Sequence, residues 1–210
     1  MQFMQQQQGL SMSSKMDFKN KIAYQIVTLF GLGRLPGGGT WASLFVLFLV
    51  IVFEDSPIIS TTAFSGEIAF YTYMMSFLSF GYLSEKSLPF FDSKDPKEFV
   101  LDEIAGMSVA IMIVGLFSWF FGGFSFDLPD YINNQELLFV LTFVLFRIFD
   151  ISKIGPVGWS EDPKNAPLWW KKFDTDPIDS PMRIMTDDLV AGLLSSIIVI
   201  SILSIYLWIL

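Results

Sequence analysis

The chain has 210 residues, of which 52% are hydrophobic, 17% aromatic and only 16% charged, whereas soluble domains carry roughly 25% charged residues. With 23 Phe, 6 Trp and a mean hydropathy of +0.53, it has too little polar surface to coat a soluble globule. The absence of Cys and His excludes disulfides, thiolate nucleophiles, imidazole bases and Cys- or His-based metal sites, and the net charge of −8 argues against a nucleic-acid partner.

In chain order, residues 1–21 are polar and Gln-rich and lack the apolar core of a signal peptide. They read as a disordered tail ahead of a single membrane-embedded domain over 22–210. Five apolar stretches follow: Thr40–Phe53, Ile68–Ser84 (extended backwards through Ile58–Phe64), Ile104–Phe126, Leu137–Phe149 and Leu189–Leu210. The third and fifth are uncharged and long enough to cross a hydrocarbon core of about 30 Å as helices. The expected architecture is all-α, a polytopic membrane bundle of about five spans.

Loop charges fit that count. With five spans, all 13 basic residues fall on one side, from Lys15 and Arg34 through Lys86 and Lys97 to Lys153 and Arg183. The opposite loops carry Glu54, Asp55, Glu67, Asp127, Asp130 and Glu136. Lys and Arg mark cytoplasmic loops, so the N-terminus is expected inside. The segment Ser160–Arg183, rich in Pro and containing Trp169–Trp170, reads as a loop lying at the interface.

Four polar clusters converge on the basic side at span ends: Gly31–Trp41, Asp95–Met107, Phe146–Pro156 and Ile184–Leu193. Asp102 and Glu103 open one helix, and Asp187 and Asp188 open another. Either pair alone is equally well explained as helix capping. Asp150 lies at a helix C-terminus, where the dipole disfavours a carboxylate, and an ion pair with Lys153 three residues on would offset it. Five carboxylates at one interface repel one another unless a cation sits among them, and oxygen ligands without His or Cys suit Mg²⁺. Gly37, Gly38, Gly39 and Thr40 lead into a helix N-terminus, which favours anions. Arg34, Arg147 and Lys153 are candidate phosphate ligands; headgroup anchoring explains the last two equally well. Mg²⁺ and phosphate at headgroup level point to chemistry on a lipid phosphate. The rival is a non-enzymatic transporter or assembly subunit, but a transporter places ionisable residues near the bilayer midplane, and these spans carry almost none.

The stretches GLGRLPGGGTWASL, FVLDEIAGM, LFRIFDISKIGP and IMTDDLVAGL, in this order and spacing, resemble the phosphatidylglycerophosphatase A family from about Tyr24 to Leu194. The resemblance implies a Mg²⁺-dependent enzyme of the bacterial inner membrane, with its active site on the cytoplasmic face. Such an enzyme removes the terminal phosphate of phosphatidylglycerophosphate and releases phosphatidylglycerol. It implies metal binding by Asp102, Glu103, Asp187 and Asp188, and catalytic roles for Asp102, Asp150, Lys153 and Asp188. It also aligns Arg147 with the family's arginine. Arg34, Gly38, Gly39 and Thr40 are assigned to substrate binding on physical grounds. The chain departs from the family pattern at Gly38 and Ile154, where Pro is usual, and at Asp179–Arg183, where a Gly-Gly-x-Gly run is usual.

Overall fold

A computed structural model describes residues 17–53, 66–92, 96–122, 135–162, 164, 166–168 and 182–209. Most of the expected tail, the loops around Asp55 and Asp130, the backward extension Ile58–Phe64 and the Trp169–Trp170 pair lie outside them.

The described residues are helical, with no strand among them. The helices are α1 (Phe18–Val27), α2 (Gly38–Phe53), α3 (Glu67–Ser87), α4 (Leu101–Gly122), α5 (Gln135–Ser152), α6 (Pro156–Glu161) and α7 (Met182–Ile209). Short 3₁₀ turns lie at Leu29–Arg34 and Leu88–Phe90. Each of the five apolar stretches therefore coincides with a helix. Two segments, Leu101–Phe121 of α4 and Arg183–Ile205 of α7, are long and apolar enough to cross a membrane; α2 is apolar but shorter.

The longest difference from the sequence reading is at α7. It starts by Met182, so Asp187 and Asp188 lie in its second turn and do not open it. No Pro or Gly interrupts 182–191, and intrahelical hydrogen bonds carry the helix past its apolar run into the polar cluster. Helix capping therefore does not account for these two acids. Asp102 and Glu103 do sit in the first turn of α4, as expected.

Helix α4 is central and packs against α2, α3, α5 and α7. Its closest neighbour is α7, and glycines set the approach. A Cβ on Gly106 would lie 2.6 Å from the Asp188 carbonyl oxygen, and one on Gly192 would collide with the Gly106 carbonyl. Backbones meet where side chains are missing, as in other small-residue helix pairs. The main core runs through Val46, Val50, Met107, Ile111, Val114, Phe139 and Phe146. A second cluster, including Val27, Phe80, Phe99, Ala105 and Met185, ties α1, α3, α4 and α7 together near the acidic end. Four buried hydroxyls on the helices are satisfied locally: Ser43, Ser87, Thr142 and Ser195 each donate to the carbonyl four residues back.

Candidate active site

The acidic ends of α4, α5 and α7 and the glycine-rich start of α2 surround one cavity of about 1310 Å³. Asp102, Asp150, Asp187 and Asp188 are all buried. One carboxylate oxygen from each of Asp102, Glu103 and Asp188 lies within 4.8 Å of the other two. Glu103 Oε2, Asp187 Oδ1 and Asp188 Oδ1 are buried without a hydrogen-bond partner among the described residues. Buried charges without partners are costly. A hard divalent cation bound by oxygens removes that cost, so the donor set fits Mg²⁺.

The fourth aspartate of the group is held differently. Asp187 Oδ2 accepts from Lys153 Nζ, and Lys153 also reaches Asp150 Oδ1 at 3.1 Å. Arg147 pairs with Asp150 Oδ2 at 2.6 Å and donates to Ser43 Oγ of α2 at 3.4 Å. Both Asp150 oxygens are thus engaged by cations, which offsets the unfavourable dipole at the end of α5. Burial lowers the pKa of the Lys153 ammonium, but the carboxylates of Asp187, Asp188 and Asp150 outweigh it and hold that pKa above the usual lysine range. Lys153 is therefore a fixed positive charge. It ends α5 in the left-handed region, with φ of 49°, a conformation normally left to Gly or Asn. Its neighbours repeat the theme: a Cβ on Gly158 would collide with the Lys153 carbonyl oxygen.

The glycine loop completes the wall. Arg34, Gly37, Gly38 and Gly39 line the cavity, and Thr40 does not. Thr40 instead sits in the first turn of α2, where its N–H donates to the Gly37 carbonyl at 2.8 Å. Gly39 has a steric reason: a Cβ there would run into the Glu103 carboxylate. Arg34 is exposed and places its guanidinium 5.1 Å from the Tyr24 ring centroid, a cation–π contact at the cavity rim.

Some lining residues escaped the sequence reading. Arg183 counted there only as a topological charge, yet it lines the cavity and donates to the Ser160 carbonyl at 2.9 Å. It precedes Asp187 by four residues on α7, a helical spacing that places both on one face. Lys97 and Glu161 also line the cavity. Ser43 was hidden because its pairing with Arg147 joins residues 104 positions apart.

A buried carboxylate cluster beside fixed cations, in a cavity at one end of an apolar bundle, suits a metal and a phosphate together. No curated protein and no solved structure matches the chain significantly. The sequence model of one family, phosphatidylglycerophosphatase A, matches residues 25–203. That span includes every residue of the cluster, and the chain belongs to the phosphatidylglycerophosphatase A family, enzymes that hydrolyse a phosphoric monoester.

Proposed function

We propose that this chain hydrolyses phosphatidylglycerophosphate to phosphatidylglycerol and inorganic phosphate at the cytoplasmic face of a bacterial inner membrane. The observation that carries the reading is the set of three convergent carboxylates, Asp102, Glu103 and Asp188, of which Glu103 Oε2 and Asp188 Oδ1 are buried with no hydrogen-bond partner among the described residues, in one cavity with Lys153 and Arg147. Asp102, Glu103 and Asp188 would hold Mg²⁺, and Asp187, whose Oδ1 has no partner among the described residues, is the fourth candidate ligand. When bound, the ion supplies charge for the phosphoryl oxygens and makes a water more acidic.

The chain's own residues do the rest. Lys153 and Arg147 supply fixed positive charge for the phosphoryl group as the ester P–O bond breaks. Water adds to phosphorus, the glycerol oxygen leaves with the bonding pair, and a proton passes to it. Asp150, with both oxygens held by cations, is a poor base and a poor nucleophile; it orients Arg147 and Lys153. Arg34 and the backbone of Gly38 and Gly39 face the same cavity and suit the anionic headgroup. Thr40 supports them from the first turn of α2.

The membrane setting rests on exposed apolar side chains on all five long helices, including Phe48 of α2, Leu78 of α3, Trp119 of α4, Ile148 of α5 and Ile197 of α7. Together with the one-sided basic loops, they support five spans with the N-terminus inside. They also support one membrane-embedded phosphatase domain over 22–210.

The test is phosphate release from phosphatidylglycerophosphate in mixed micelles, with and without Mg²⁺. Asp102→Asn and Asp188→Asn are each expected to lower turnover by at least about 100-fold, the scale of removing one pre-organised charge stabiliser. Near-normal turnover in both variants would sink the assignment.

A further inference from the structure

Helix α1 has an apolar face that the bundle does not use. Ala23 and Val27 are buried against the cluster containing Phe80 and Phe99. On the other side Phe18, Ile22 and Ile26 are exposed, at 73%, 45% and 36%. Their spacing of four residues makes one stripe along the helix. At about 100° per residue, Lys19 and Lys21 fall on opposite flanks of that stripe, and both are exposed. An apolar stripe edged on both sides by lysines matches a helix lying in the plane of a membrane surface, with its cations at the phosphates.

The backbone after α1 continues the stripe at a conformational cost. Leu29, Phe30 and Gly31 are consecutive residues at positive φ, of 47°, 53° and 97°. Two of the three are not glycine, and such geometry persists where surrounding structure enforces it. Here it presents Phe30, 79% exposed, beyond the end of the helix. The turn is tied down: the Gly31 and Gly33 N–H groups both donate to the Thr28 carbonyl. The helix is tied to the acidic site as well. The Val100 N–H, two residues before Asp102, donates to the Val27 carbonyl at 2.8 Å, and Gly33 abuts the Glu98 carbonyl so closely that it leaves no room for a Cβ.

We propose that α1 and its turn form a membrane-surface anchor that seats Phe18, Ile22, Ile26 and Phe30 among anionic lipid headgroups. Through Val27 and Val100 the anchor sets the height of Asp102 and Glu103 relative to those headgroups. The lipid contact follows from the stripe and its lysines alone; the consequence for height rests on the lipid-phosphatase reading.

The chain has no cysteine, so Ile22→Cys, Ile26→Cys, Phe30→Cys and Lys97→Cys variants of the full chain each carry one fluorophore. They are reconstituted in vesicles of phosphatidylcholine and phosphatidylserine. Labels at 22, 26 and 30 are expected to be quenched by brominated lipid and shielded from aqueous iodide, and the label at the exposed Lys97 to show the reverse. Iodide quenching at 22, 26 and 30 equal to that at 97 would overturn the anchor. Shielding from both quenchers, with cross-linking between chains, would assign the face to a second copy and overturn it equally. Lys19→Glu with Lys21→Glu is expected to reduce lipid quenching of the 22 label in these vesicles but not in pure phosphatidylcholine; an unchanged signal would overturn the electrostatic part. None of these readings needs turnover. Inactive protein with lipid-seated labels counts against the phosphatase reading alone, and active protein with iodide-accessible labels against the anchor alone.

Discussion

Asp150 is held by Arg147 at 2.6 Å and Lys153 at 3.1 Å, both three residues away. The Lys153 contact was legible as a spacing, because i,i+3 pairs meet on any helix. Its extension to Asp187 was not, because α7 approaches α5 only in the folded bundle. Arg147→Met should leave a buried carboxylate short of one partner and cost about 3 kcal/mol of stability, read as a lowered thermal midpoint in detergent. Lys153→Gly and Lys153→Met should both abolish turnover. The glycine variant should nevertheless be the more stable of the two by about 1 kcal/mol, because it relieves the left-handed backbone at position 153. Equal midpoints for the two would show that the backbone there is unstrained. Gly39→Ala meets a movable side chain, the Glu103 carboxylate. Its stability should hardly change while kcat falls by up to about 100-fold, since a misplacement of about 1 Å is enough for that.

Helix by helix, the apolar runs located all five long elements, because an uninterrupted apolar stretch of that length has few other stable conformations. Their ends were less legible. Polarity marked where apolar character stops, whereas α7 stops forming only where its backbone hydrogen bonds do, so Asp187 and Asp188 sit inside it. The packing partners of each helix depend on glycines whose role is invisible singly. Gly106→Ala should force α4 and α7 apart against the Asp188 backbone, costing about 1–3 kcal/mol and lowering activity with it. Gly81→Ala on α3 meets nothing within 4 Å and should be neutral or stabilising by up to about 1 kcal/mol. Thermal midpoints of the two variants, measured side by side, check both.

At the scale of the whole molecule, Asp102, Glu103, Asp150, Asp187 and Asp188 gather with Arg147 and Lys153 at one end of an apolar bundle. A five-span topology predicts that single cysteines replacing Lys97 and Asp55 react with a membrane-impermeant reagent from opposite sides of right-side-out vesicles. Labelling of both from the same side would remove the five-span count. Chelation offers a separate check. Excess EDTA should abolish phosphate release, and Mg²⁺ should restore it, because Glu103 Oε2 and Asp188 Oδ1 have no partner among the described residues to replace the ion.

Composition and order of residues by themselves determined the helical class, the places of the five long helices and the identity of the four polar clusters. They did so because hydropathy and chain-local spacing are properties of neighbours along the chain. Without His or Cys, they also left carboxylates as the groups that could bind a metal. Only the tertiary structure decided which carboxylates share a centre and which face cations, as Asp102, Glu103 and Asp188 converge while Asp150 and Asp187 turn to Lys153. It alone exposed the unused face of α1. Both outcomes depend on how helices approach across a hundred residues of chain, set by the absence of a Cβ at Gly106 and Gly192 and by the fit of side chains in the core.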